Sequence, residues 1–179
     1  MKNIVLAGFM GTGKTAVSKI LATQIRRQRL CTDDMIEWKV GKHIARIFAE
    51  DGEPFFRRVE SEIVAAISKD KNVIIDAGGG VVINELNVKR LKEHGVVICL
   101  TARPEVIIER TKGHTHRPLL NTESPLESIK RILDERKDYY GRADYTIDTS
   151  DISVNEVCDR VLKIMEEAES SKKHHLVLT

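Results

Sequence analysis

Aromatic side chains are scarce, at 4% of the 179 residues, too few to form a stacking surface for single-stranded nucleic acid. Basic excess is also lacking. The balance is 29 basic against 27 acidic residues, a net charge of +2, whereas a nucleic-acid binder carries a clustered positive surplus. The three cysteines, Cys31, Cys99 and Cys158, are odd in number and far apart. They make neither a disulfide framework nor a zinc ligand set, so a reducing, cytoplasmic setting is expected. No apolar run approaches the roughly 18 residues needed to span a bilayer. Ile4–Met10 is interrupted by Gly8 and followed by Gly11 and Gly13 without a small-residue cleavage site, which favours a buried first strand over a signal peptide. With 41% hydrophobic and 31% charged residues, the composition is that of a folded domain and not of a disordered chain. A chain of this length reads as one domain, with a core that buries about 70% of the unfolded surface. There is no internal repeat.

What is present is alternation. Ile4–Ala7, Val73–Ile75 and Val96–Leu100 are short β-branched apolar runs, as in buried parallel strands; Tyr145–Ile147 is a weaker one and Leu30-Cys31 a thin one. Between and after them, residues 14–27, 53–68, 104–111, 126–140 and 154–167 carry apolar positions at helical spacing. Strands alternating with helices predict an α/β fold around a parallel sheet. Residues 169–179 read as a loosely held tail, with His174-His175 as solvated side chains.

The sharpest local signal is Gly8-Phe9-Met10-Gly11-Thr12-Gly13-Lys14-Thr15, a G-x-x-x-x-G-K-[ST] loop between a strand and a helix. Its glycines let backbone N–H groups turn inward onto phosphate oxygens, and the helix that follows adds its positive end. Lys14 is placed for the β/γ-phosphates and the Thr15 hydroxyl for Mg²⁺. There is no Asn-Lys-x-Asp segment to read guanine, and the chain is small for a motor ATPase. A small-molecule or nucleoside-phosphate kinase is the expected class.

Four further features concern an acceptor. Thr32-Asp33-Asp34 ends the second strand, where ligands of open sheets sit; one aspartate serves as a base or a ligand contact while the other caps a helix. Arg57 and Glu60 are helical neighbours, either a surface ion pair or a guanidinium held for a carboxylate. Gly78-Gly79-Gly80 follows a strand, where bare backbone can approach a ligand. Arg136 falls on the stripe of Ile129, Ile132 and Leu133 and needs an anionic partner, from the protein or from a ligand.

Taken together these residues resemble the shikimate kinases, from Asn3 to about Asp148. The likeness includes Gly8–Thr15, Thr32-Asp33 with Ile36-Glu37, Ile47-Phe48 with Gly52-Glu53, Phe56-Arg57 with Glu60, the glycine triplet, Arg110, Arg117-Pro118-Leu119-Leu120, and Glu135-Arg136 with Tyr139. The resemblance implies a P-loop kinase of three-layer α/β/α architecture, with a five-stranded parallel sheet like that of nucleoside monophosphate kinases. It implies a single domain over residues 1–168, a shikimate-binding part over about 33–62 and a lid over about 112–124. It also implies transfer of the γ-phosphoryl of ATP to the 3-hydroxyl of shikimate, with small-molecule substrates, no membrane or nucleic-acid partner, and a monomer. Lys14, Asp33 and Arg117 would be catalytic. Gly11, Thr12, Gly13, Lys14, Thr15, Ala16, Arg110 and Arg117 would bind ATP. Asp33, Arg57, Gly79, Gly80 and Arg136 would bind shikimate.

One departure concerns the metal. Family members usually carry an acid where this chain has Cys31, and Ser or Thr where it has Asp76. A neutral thiol is a poor partner for Mg²⁺, which prefers oxygen. The expectation is therefore one Mg²⁺ held by Thr15 and, from the third strand rather than the second, by Asp76.

Overall fold

The computed structural model describes residues 1–112 and 124–176, with side chains described as far as residue 170. The expected lid, apart from its two ends, and Arg117 lie outside these residues. Five parallel strands, β1 (Asn3–Ala7), β2 (Arg29–Cys31), β3 (Ile74–Asp76), β4 (Gly95–Thr101) and β5 (Tyr145–Asp148), form one sheet in the order β2-β3-β1-β4-β5. The helices are α1 (Lys14–Gln24), α2 (Thr32–Val40), α3 (Ile44–Glu50), α4 (Gly52–Ile67), α5 (Glu85–His94), α6 (Pro104–Thr111), α7 (Pro125–Glu135), α8 (Lys137–Tyr140) and α9 (Val154–Leu176). The expected architecture is thus observed.

Period-two alternation sorts the strand residues into two cores. Val5 and Ala7 of β1 join Ile75, Val97 and Cys99 under α2 to α8, with Ile36, Ile47, Phe56, Ile63, Ile107 and Ile129 packed on them. Ile4 and Leu6 join Ile74, Val96, Ile98 and Leu100 on the other face, beneath Val17 and Leu21 of α1 and Val157, Val161 and Met165 of α9. Coverage on both faces is why these strands read as unbroken apolar runs rather than as alternating ones. The polar groups are left at the carboxyl ends of the strands, where the site is built.

Several boundaries differ from those read in the sequence. The helix expected over 126–140 breaks at Arg136, whose φ of −102° and ψ of 1° end α7 and begin α8. Arg136 is therefore on a corner and not in the apolar stripe. Neither Asp33 nor Asp34 caps α2. The helix starts one residue after β2, and both acids lie in its first turn, where they favour its positive end. Helix α9 runs to Leu176, past the boundary at residue 168, and Glu169 Oε1 accepts a bond from the Lys2 backbone at 3.2 Å. Helix α5 has no counterpart in the sequence reading. It is short and largely polar, and its start is marked by Asn84, whose side chain accepts the Leu86 N–H at 3.0 Å.

Candidate active site

The loop after β1 turns sharply at Gly8, with φ at 131° and no room for a side chain against the Leu100 carbonyl. It ends at Gly13, the left-handed N-cap of α1. No acid lies in the first turn of α1, so the positive helix end is left for an anion. The loop is pinned from within: Thr12 Oγ1 donates to the Phe9 carbonyl at 2.8 Å and Lys14 Nζ donates to it at 2.9 Å. Thr15 and Ala16 follow on exposed positions of α1. On the β5 side, buried Thr149 holds the Thr12 carbonyl at 3.1 Å through its hydroxyl. Arg110 in turn donates to Thr149 Oγ1 at 2.9 Å and to its carbonyl at 2.7 Å. Gly11, Thr12, Gly13, Lys14, Thr15, Ala16 and Arg110 are thus brought to one end of the sheet.

The acceptor residues converge on Gly78–Gly80, at the end of β3. A Cβ on Gly78 would stand 2.5 Å from Asp33 Oδ1 and 3.4 Å from Glu60 Oε1, and one on Gly80 would stand 2.6 Å from Arg57 Cζ. At Gly78 and Gly80 the missing Cβ permits close approach: a carboxylate and a guanidinium occupy the space a side chain would take. The Gly78 N–H is held by Thr32 Oγ1 at 2.8 Å, which ties β3 to the start of α2 and so places Asp33.

Arg57 is braced on both sides. Its Nη1 donates to Glu60 at 3.1 and 3.0 Å, and its Nε and Nη2 donate to Glu53 Oε1 at 3.1 and 3.0 Å. The two partners are unlike. The Glu60 side chain is 1% exposed and that of Glu53 56% exposed. An exposed pair is worth about 0–1 kcal/mol, so a ligand carboxylate can displace Glu53 at little cost while buried Glu60 keeps the guanidinium aimed. Burial pushes Glu60 above the usual carboxylate range, opposed by Arg57 and, more weakly, by Arg136. Arg57 and Arg136 both bear on the Tyr140 phenol as well, and that phenol is bonded to the Gly79 carbonyl.

Burial also pushes the Asp33 carboxyl up. Lys14 opposes that shift, while Asp76, Asp34 and Glu37 add to it. A half-buried carboxylate with a lysine of the phosphate loop acting on it has the surroundings of a general base.

At Asp76, expected from the sequence to bind Mg²⁺, the geometry contains more than the sequence suggested. Asp76 Oδ2 accepts from Arg29 Nη2 at 2.6 Å and from Ser18 Oγ at 3.0 Å, and Arg29 Nε donates to Ser18 Oγ at 2.8 Å. Arg29 and Ser18 were not foreseen. A lone arginine on a strand leading into Leu30-Cys31 is the only signal, and its partner becomes visible only through the register that sets Cys31 against Asp76. Burial raises the Cys31 thiol to about 11 against a bond from the Asp34 backbone, so it is protonated at neutral pH. Tyr140 was likewise missed as a site neighbour.

The family model for shikimate kinase matches residues 10–166. The shikimate kinase of Thermoanaerobacter pseudethanolicus is 46% identical over 163 residues, 91% of this chain and 95% of that one. The shikimate kinase of Thermodesulfovibrio yellowstonii is 44% identical over 96% of this chain and 99% of its own length. Among solved structures, a shikimate kinase from Acinetobacter baumannii in complex with shikimate is 32% identical, with a TM-score of 0.88 over 94% of each chain. Likeness of this extent in sequence, joined to the same fold over nearly the whole length, means that the chain belongs to the shikimate kinase family.

Proposed function

We propose that the protein transfers the γ-phosphoryl group of ATP to the 3-hydroxyl of shikimate, a step on the route to chorismate and the aromatic amino acids. The observation that carries this reading is the glycine strip with Asp33 at one end and Arg57 at the other, with the Arg136 charge near enough to bear on Glu60 and Tyr140. A small carboxylate ligand with several hydroxyls is complementary to two guanidinium groups, one carboxylate and bare backbone N–H groups. A nucleotide acceptor would call instead for phosphate contacts.

In this reading Arg57 and Arg136 hold the shikimate carboxylate, and the Gly79 and Gly80 N–H groups meet ring hydroxyls. Asp33 takes the proton of the 3-hydroxyl as the new O–P bond forms. The bond from the γ-phosphorus to the β,γ-bridging oxygen breaks, and its electron pair leaves with ADP. Lys14 compensates charge on the phosphates, and the loop N–H groups fix their position. Arg110, anchored to Thr149, lies near the adenine. Arg117, from the lid, supplies a further positive charge to the transferring group. All of these groups belong to one chain, so a monomer suffices. Among the described residues no helix is long and apolar enough to cross a membrane.

The oxygen donors fit Mg²⁺. Thr15 offers a hydroxyl, and Asp76 is held by Arg29 and Ser18 through Oδ2, an arrangement that orients a carboxylate as metal sites require. When bound, the ion would neutralise charge on the β- and γ-phosphates. Asp76→Asn keeps the shape and removes the charge. It should raise the Mg²⁺ needed for half-maximal activity, and adding Cys31→Asp should recover much of the loss, because two sites sharing one ion are non-additive. A Mg²⁺ titration like that of the unmodified enzyme would assign Asp76 to the Arg29 ion pair alone.

The base assignment predicts a pH effect. Asp33 must be ionised to accept a proton, and its carboxyl is held above the ordinary range. The acid limb of kcat/KM for shikimate should therefore lie above that of an ordinary aspartate. Asp34, 73% exposed, adds to the upward shift. Asp34→Asn should move the acid limb to lower pH. A limb that stays put or moves up would contradict the assignment of Asp33.

Acceptor choice is tested by ADP release in the presence of shikimate, quinate, gluconate or AMP. Turnover with shikimate far above the others is expected. Preference for AMP or gluconate would replace this reading by another kinase of the same fold.

A further inference from the structure

Tyr140 ends α8 with its side chain against the glycine strip. The residue is 8% exposed, and a buried phenol left without a partner would cost free energy. It has one: its hydroxyl donates to the Gly79 carbonyl at 3.0 Å. Burial raises the phenol to about 12, against the pull of Arg136. It therefore keeps its proton, and its donor role, across the working pH range.

One geometric consequence follows. A trans peptide is planar, with its C=O and N–H on opposite edges. Once the Gly79 carbonyl is turned towards Tyr140, the Gly80 N–H of the same peptide must point away from it. Among the described residues neither the Gly79 nor the Gly80 N–H donates to a protein acceptor, so both are available to a ligand.

We propose that Tyr140 is a positioning residue of the acceptor site. Its hydroxyl fixes the Gly79–Gly80 peptide so that the Gly80 N–H faces the acceptor hydroxyls. The inference rests on the acceptor-site reading above and extends it to a residue that does not itself touch the substrate. The surrounding fold does not depend on this hydroxyl. Arg142, stacked on Tyr139 at 4.9 Å, separately latches the segment to the Val82 and Ile83 carbonyls at 3.3 and 3.1 Å.

The test compares Tyr140→Phe with Arg136→Ala by steady-state kinetics with both substrates, with thermal unfolding alongside. Tyr140→Phe keeps the ring and removes the hydrogen bond to the Gly79 carbonyl. KM for shikimate should rise about three- to tenfold, the scale of one lost neutral hydrogen bond, with KM for ATP unchanged and kcat far less affected. Tyr140→Phe with normal shikimate saturation, beside an Arg136→Ala variant that binds shikimate poorly, overturns the positioning role and leaves the clamp standing. Unchanged shikimate saturation in both variants overturns the clamp and this role with it. Equal losses for ATP and shikimate, together with a lowered Tm, would show a structural tyrosine and also overturn the proposal.

Discussion

Asp33→Asn should lower kcat by about 10²- to 10⁴-fold, the usual contribution of a positioned general base, while ATP affinity stays near that of the unmodified enzyme. The substitution keeps the shape of the side chain against Gly78, where Asp33 Oδ1 fills the space of the missing Cβ. It removes the ability to accept a proton. The substitution also relieves the desolvation that now raises this carboxyl, so stability should hold and the kinetic effect is readable. Single-turnover measurements with ATP and shikimate separate the chemical step from binding. Near-normal single-turnover rates would move the base elsewhere.

Arg136→Ala carries the second large effect. The loss of a charge-assisted contact to a carboxylate should reduce kcat/KM for shikimate by about 2–4 kcal/mol, or some 30- to 1,000-fold. Arg136 is a cleaner probe than Arg57. Removing Arg57 strands Glu60, whose side chain is 1% exposed, and an orphaned buried charge of that kind costs about 3–5 kcal/mol of folding stability. Arg136 stands at a helix corner, and its removal should leave the fold intact. Shikimate saturation unchanged in this variant would refute the clamp. Titration of shikimate at fixed ATP, followed through the single tryptophan Trp38, which is 87% exposed on α2, offers a binding readout independent of turnover.

The sequence exposes the parts of this molecule that rest on local pattern. The phosphate loop is legible because its glycines, Lys14 and Thr15 are contiguous, and the strands because burial on both faces leaves unbroken runs such as Val96–Leu100. Parts that depend on register or on side-chain reach are not legible. Asp76 stood out as a carboxylate at a strand end, but its partner Arg29 is 47 residues away and is reached only through the pairing of β2 with β3. Arg136 appeared to continue an apolar stripe because a helical period was carried across a break that no proline or glycine marks. Tyr140 gave no signal at all, since the partner of its hydroxyl is a backbone carbonyl 61 residues distant. Helix α5 was hidden by its polarity, although Asn84 ahead of Val88 and Leu91 marks its start.

The most direct measurement of the central claim is phosphorus NMR of a reaction containing the protein, ATP, Mg²⁺ and shikimate. The account predicts ADP and one new phosphomonoester in equal amounts, the phosphorus coupled to the proton on C3 of shikimate. ADP without a phosphorylated shikimate, or a phosphoester at another hydroxyl, would contradict it.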